Sequence, residues 1–130
     1  MDDNLIQRLL DFAAEIGWVC DELPDTRFGN RIAYQLSGSG TSPGPNYEEA
    51  CGAESRKDFI HKMSISLKEL RESHFWLRLI SRCRLITGEQ IAALTEECNQ
   101  LVRIFVQSVT TARRNDPSGR AWRRHPEAEQ

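Results

Sequence analysis

Residues 91–112 carry an unbroken heptad row, Ile91, Leu94, Cys98, Leu101, Phe105, Ser108 and Ala112, in steps of three and four. That spacing stacks the seven side chains on one stripe of an α-helix and lacks the alternation a half-buried strand needs. A lone helix cannot bury such a stripe, so its partners must come from the rest of the chain. Three further rows supply them. Ile6, Leu9, Ala13, Ile16, Cys20 and Leu23 form the first; Phe28, Ile32 and Leu36, continued as Gly40, Pro43, Tyr47 and Ala50, the second; and Phe59 or Ile60, Met63, Leu67, Leu70, His74 and Leu77 the third. Four rows joined by short turns predict an all-α, up-and-down antiparallel four-helix bundle.

The signals for helix ends agree with these rows. Asp2 and Asp3 suit the positive end of the first helix dipole, and Pro24 ends that helix because its ring would clash with the preceding turn. Asp25 or Thr26 then caps the second helix. Ser37 to Asn46 is rich in glycine, and Pro43 and Pro45 each lack an amide donor. Helix two is therefore expected to run to about Gly40, break over Ser42 to Pro45 with a kink at Pro43 to Pro45, and resume from Asn46 to Cys51 before Gly52. Ser55 with Asp58 has the capping spacing for the third helix, which is about 40 Å long if it reaches Cys83. Thr87 with Gln90 repeats that spacing for the fourth. After Asn115 the period stops, so residues 1–115 are expected to form the bundle and 116–130, with two prolines and a glycine, a mobile tail.

Several words in the middle of the chain carry a resemblance: Ser39-Gly40-Thr41-Ser42, Asn46-Tyr47-x-Glu49-Ala50, Glu54-Ser55-Arg56 with Asp58-Phe59-Ile60-His61-Lys62, Leu67-Lys68-Glu69 and Phe75-Trp76-Leu77. In this order and spacing the chain resembles the bacterial four-helix-bundle, or 23S rRNA intervening-sequence, protein family, with a weaker match over Leu101 to Asn115. The resemblance implies an up-and-down bundle that assembles as a ring of five, a homopentamer, with no established catalytic activity. A more distant resemblance, to the accessory subunit of diversity-generating retroelements, implies contact with a reverse transcriptase and RNA. The chain departs from the family pattern at Pro43 and Pro45, where relatives carry a β-branched and a small residue, and at Gly38, where they carry a basic one.

A chain of 130 residues with 39% hydrophobic and 28% charged residues is long enough to bury a core without disulfides or metal. No apolar run reaches the length of a membrane span, and the start MDDNLIQRLL lacks a basic segment followed by an apolar one, so a cytoplasmic protein with no membrane partner is expected. Cys20, Cys51, Cys83 and Cys98 make no C-x-x-C pair and are expected to be reduced thiols.

The net charge of −2 conceals a segregation. Residues 1–54 carry three basic and ten acidic groups, whereas residues 55–84 carry eight basic and three acidic. On the third helix Lys57, His61, Ser64, Lys68, Arg71, Phe75, Arg78 and Arg82 fall on one stripe beside the core row. Five are basic and Phe75 interposes an aromatic face, the composition that holds phosphates and stacks a base. Lys57, Lys68, Arg71, Phe75, Arg78 and Arg82 are therefore the candidate contacts to RNA or another nucleic acid. A solvated face whose cations pair with the acidic first two helices would show the same pattern.

Ile65 and Trp76 on the other flank of helix three, with Val102, Val106 and Val109 beside the core row of helix four, exceed what a lone bundle needs. They are the candidate subunit interface. Such apolar surface also suits an adaptor that docks a protein partner. Asn46, Glu49 and Lys62 should meet across the turn between helices two and three as a polar cluster that fixes register. Enzymatic readings find little support. No phosphate loop follows a strand, and no serine or cysteine has a recognisable base. A di-metal bundle needs two Glu-x-x-His words where the chain has only Asp58-Phe59-Ile60-His61. Neither a cofactor nor a metal is expected.

Overall fold

The computed structural model describes residues 3–115. The expected tail at 116–130 lies outside them. Five helices follow one another: α1 (Asp3–Glu22), α2 (Arg27–Thr41), α3 (Pro43–Cys51), α4 (Arg56–Arg82) and α5 (Glu89–Arg114). Because α2 and α3 continue along one path, the molecule is a bundle of four antiparallel rods. Successive pairs at the contacts fix the directions: Cys20–Ala33, Ile16–Gly40 and Leu9–Gly44 between α1 and the second rod, Ser39–Ser73, Pro43–Ser66 and Glu49–Lys62 between that rod and α4, and Arg8–Glu97 and Glu15–Gln90 between α1 and α5.

The break in the second rod is narrower than expected. Only Ser42 separates α2 from α3, and its φ of −80° and ψ of −34° are still helical. Pro43, expected inside the interruption, instead opens α3, where a missing amide matters least. The Asn46 amide donates to the Ser42 carbonyl at 3.0 Å and contacts its hydroxyl at 3.1 Å, bridging the gap from within. Two buried serines of α4 hold the kink from outside. Ser66 Oγ donates to the Pro43 carbonyl at 2.9 Å, and Ser73 Oγ lies 2.8 Å from Ser39 Oγ. Gly40 lets α2 pack close against α1, since a Cβ there would lie 2.6 Å from Ile16 Cγ1.

The core rows depart from the expected ones in particular places. On α1 the fully enclosed row is Leu5, Leu9, Phe12, Ile16 and Val19, with Ile6, Cys20 and Leu23 half-buried at its edge. Phe28, expected inside, is 47% exposed, and Gly29 takes the inward position one residue later. There a Cβ would meet the Pro24 carbonyl at 2.0 Å, so the α1–α2 turn closes only over a glycine. On α4 the buried row is Phe59, Met63, Ser66, Leu70, Ser73, Leu77 and Ile80, while Leu67 and His74 lie half-buried beside it. On α5 Val109 replaces Ser108 inside. Tyr47 and Phe105 meet edge to face at 5.7 Å in the middle of the core.

The caps of α2 and α4 are Thr26 and Ser55, whose hydroxyls accept from the amides of Gly29 and Asp58. The expected Thr87–Gln90 box does not form. Gly88, at φ 110°, is the N-cap of α5, with no side-chain cap. Helix α4 closes in a Schellman motif, with Leu85 N donating to Ile80 O and Arg84 N to Ser81 O. The left-handed residue of that motif is Arg84, at φ 57°, where glycine is usual.

Candidate nucleic-acid interface

Helix α4 divides its charge between two flanks. At a hundred degrees per residue, Asp58, Glu69 and Glu72 fall on the flank toward α2 and α3, with Lys62, Ile65 and Trp76. Lys57, Lys68, Arg71, Arg78 and Arg82 fall on the outer surface and the flank toward α5. All five of these cations are exposed, and none makes an ion pair within 4 Å among the described residues. Phe75, 51% exposed, stands among them with its ring edge to face against Trp76 at 5.3 Å. The stripe runs about 37 Å along one rigid helix.

The opposite flank is engaged with the bundle. Lys62 Nζ lies 2.7 Å from Glu49 Oε1, which raises the lysine pKa through that hydrogen bond. Trp76 Nε1 donates to Glu72 at 3.3 Å, and partial burial with Glu72 nearby raises the Glu69 pKa. Asn46 stays with its own segment, bonded to Ser42, and forms no hydrogen bond to Glu49 or Lys62 among the described residues. Between α2 and α4 lies an open groove of about 500 Å³, lined by Tyr34, Ser37, Ser42, Glu69 and Glu72 among others.

The five apolar candidates for a subunit interface do not form one patch. Ile65 and Trp76 are half-buried on the α2/α3 flank of α4, whereas Val102 and Val106 are half-buried on the flank of α5 that faces α4. Val109 is 5% exposed and belongs to the core, so it offers nothing to a second subunit. Besides Phe75, the exposed large apolar side chains of the described residues are Leu10, Trp18, Phe28 and Tyr34, on α1 and α2. Sequence reasoning missed them because Leu10, Trp18 and Tyr34 sit one or two places from an expected core position and Phe28 was itself expected to be one.

At the far end of the basic stripe is a second open cavity, of about 580 Å³. Arg78, Ser81, Arg82 and Arg84 line it from α4 and its closing turn, and Ala92, Thr95 and Glu96 from α5. Arg84 was not among the sequence candidates, because only its left-handed backbone brings it there.

His74, on the wall of the α4–α5 contact, is half-buried; burial and then Arg78 lower its pKa, against Glu96. Burial pushes the thiols of Cys20 and Cys51 up to about 11 and that of Cys98 up to about 12, whereas Cys83 is exposed. Among the described residues no group of three or more His, Cys, Asp or Glu side chains is placed to hold a metal ion. Nor is any described helix long and apolar enough to cross a membrane.

Residues 1–107 match the 23S rRNA-intervening sequence protein family. The chain belongs to that family. Among solved structures it is similar to a protein of unknown function from the S23 ribosomal protein family of Bacteroides thetaiotaomicron, with a TM-score of 0.74 and 33% identity over 80% of this chain and 96% of that one. No protein of curated function shows significant similarity to it. The matched residues include all of α1 to α4 and most of α5, so the basic stripe and the serine-braced kink both lie within the part of the chain the family defines.

Proposed function

We propose that this member of the 23S rRNA-intervening sequence family is a non-enzymatic binding protein that holds RNA or another nucleic acid along the basic stripe of α4. The observation that carries the reading is that Lys57, Lys68, Arg71, Arg78 and Arg82 are exposed together and unpaired within the described part of the chain. Cations kept only to satisfy the acidic first half of the chain would lie against it. These face away, and Phe75 supplies a ring for one base. Five phosphate contacts to a single strand predict a slope of about −3.5 in log K against log salt.

The protein acts as a homo-oligomer in this reading, with five subunits as its family resemblance implies. Head-to-tail contact suits a molecule whose acidic and basic groups are segregated. The exposed Leu10, Trp18, Phe28 and Tyr34 favour a second reading, an adaptor whose α1–α2 face docks a protein partner.

Two experiments separate these. Lys68→Glu with Arg71→Glu should abolish RNA binding in titrations while the bundle stays folded; unchanged binding by the folded variant would remove the stripe from consideration. Native mass spectrometry at low salt reads the subunit count and any co-purified nucleic acid together. A clean monomer free of nucleic acid would favour the adaptor.

A further inference from the structure

We infer that the cavity at the C-terminal end of α4 is a pocket for a terminal phosphate monoester, which anchors one end of the nucleic acid lying on the stripe. The inference rests on the nucleic-acid reading above and adds a specificity to it.

Elsewhere on the stripe Lys57 stands alone and Lys68 neighbours Arg71 one turn on, so at most two cations meet. At its end three arginines, Arg78, Arg82 and Arg84, line one open cavity of about 580 Å³ together with Ser81 and Thr95. A phosphodiester carries one negative charge, and one guanidinium balances it. A terminal monoester carries close to two at neutral pH and offers three acceptor oxygens, which match several guanidinium forks at once. The place is also right for an end. Helix α4 stops at Arg82, so a strand following the stripe runs out of helix at this cavity.

Arg84 gives the second line of argument. It occupies the left-handed position of the Schellman turn at φ 57°, where glycine carries no penalty and a side chain does. The turn gains from an arginine only the modest attraction of a cation to the negative end of the helix dipole, which Arg82 already supplies. What the arginine does is add a third cationic residue to the cavity that Arg78 and Arg82 already line.

Glu96 stands on the same wall and opposes an anion. Thr95 Oγ1 already donates to the Ile91 carbonyl, so it meets a ligand as an acceptor or through water. Selectivity thus lies with the three arginines, and removing the Glu96 charge should tighten binding.

The test titrates the full-length protein with one oligoribonucleotide in three forms: 5′-phosphorylated, 3′-phosphorylated, and with hydroxyls at both ends. The expected result is that one terminal phosphate tightens binding by about tenfold, as several charge-assisted hydrogen bonds would, and the two phosphorylated forms tell which end is held. Arg84→Gly should lose this gain while the affinity for the hydroxyl-ended strand falls only slightly and the melting temperature does not drop. Arg82→Gln is the second variant, and Glu96→Gln should widen the gain. Equal binding of all three forms by the wild-type protein would overturn the pocket and leave the stripe standing, as would a preference that survives both arginine substitutions. Failure of all three to bind would overturn the stripe and the pocket with it.

Discussion

The two flanks of α4 share one helix and differ in nearly everything else. Toward α2 and α3, polar groups are spent on the fold: Ser66 on the Pro43 carbonyl, Ser73 on Ser39, Lys62 on Glu49, Trp76 on Glu72. On the outer surface and toward α5, five cations have no such partner among the described residues, and Phe75 meets the Trp76 ring of its own helix. Polar side chains on a helix that is half engaged and half idle do two jobs, and substitutions sort them.

Ser66→Leu should have the largest effect, destabilising the protein by about 3 kcal/mol in urea titration. Ser66 is fully buried, and a larger side chain would be forced against the α3 backbone where its hydroxyl now bonds. Ser73→Ala should cost about 1 kcal/mol, the usual worth of a buried hydroxyl pair. Arg84→Gly should go the other way and stabilise by somewhat under about 1 kcal/mol, because the left-handed turn loses a side chain it does not need. The reversal Lys68→Glu with Arg71→Glu should leave the melting temperature within about a degree while removing binding, since exposed unpaired charges contribute little to stability. A large loss of stability there would erase the distinction between the flanks.

The smallest effect is one of pH. His74 has a lowered pKa in the folded protein, so the unfolded chain takes up that proton more readily. Its contribution to stability is complete above about pH 6.5 and is lost as the pH falls through the folded value. Denaturation midpoints for the wild type and His74→Gln should draw together as the buffer is made more acidic across that window. Parallel pH profiles would show that the imidazole is not held neutral by its surroundings.

The bundle was legible because four apolar rows repeat every three and four residues, and a 130-residue chain has few other ways to bury them. What spacing could not settle was rotation about each axis. Leu5 and Ile6, or Phe12 and Ala13, are adjacent candidates for one inward place, and the neighbouring helices choose between them. Ser66 and Ser73 stayed hidden for a related reason. A serine in a core row reads as polar and outward until a backbone carbonyl or a second serine is brought opposite it. The prolines misled in the other direction. Pro43 breaks a helix only where it needs an amide, and as the first residue of α3 it does not. The basic stripe was readable from sequence because it lies along one continuous helix, whereas its end was not, because Arg84 reaches the cavity through a backbone angle that composition does not encode.

The uneven cysteines have a practical consequence. Cys51 and Cys98 are enclosed and Cys20 is half-covered, so a thiol-reactive dye added to the folded protein should couple first at Cys83, between Arg82 and Arg84. The chain thus carries its own attachment point for a fluorophore beside the cavity, with no engineering. The same exposure is a hazard at the bench: air oxidation would tie two molecules together through that sulfur, arginine-rich end to arginine-rich end, and a sample kept without reductant would show a dimer that owes nothing to its biology.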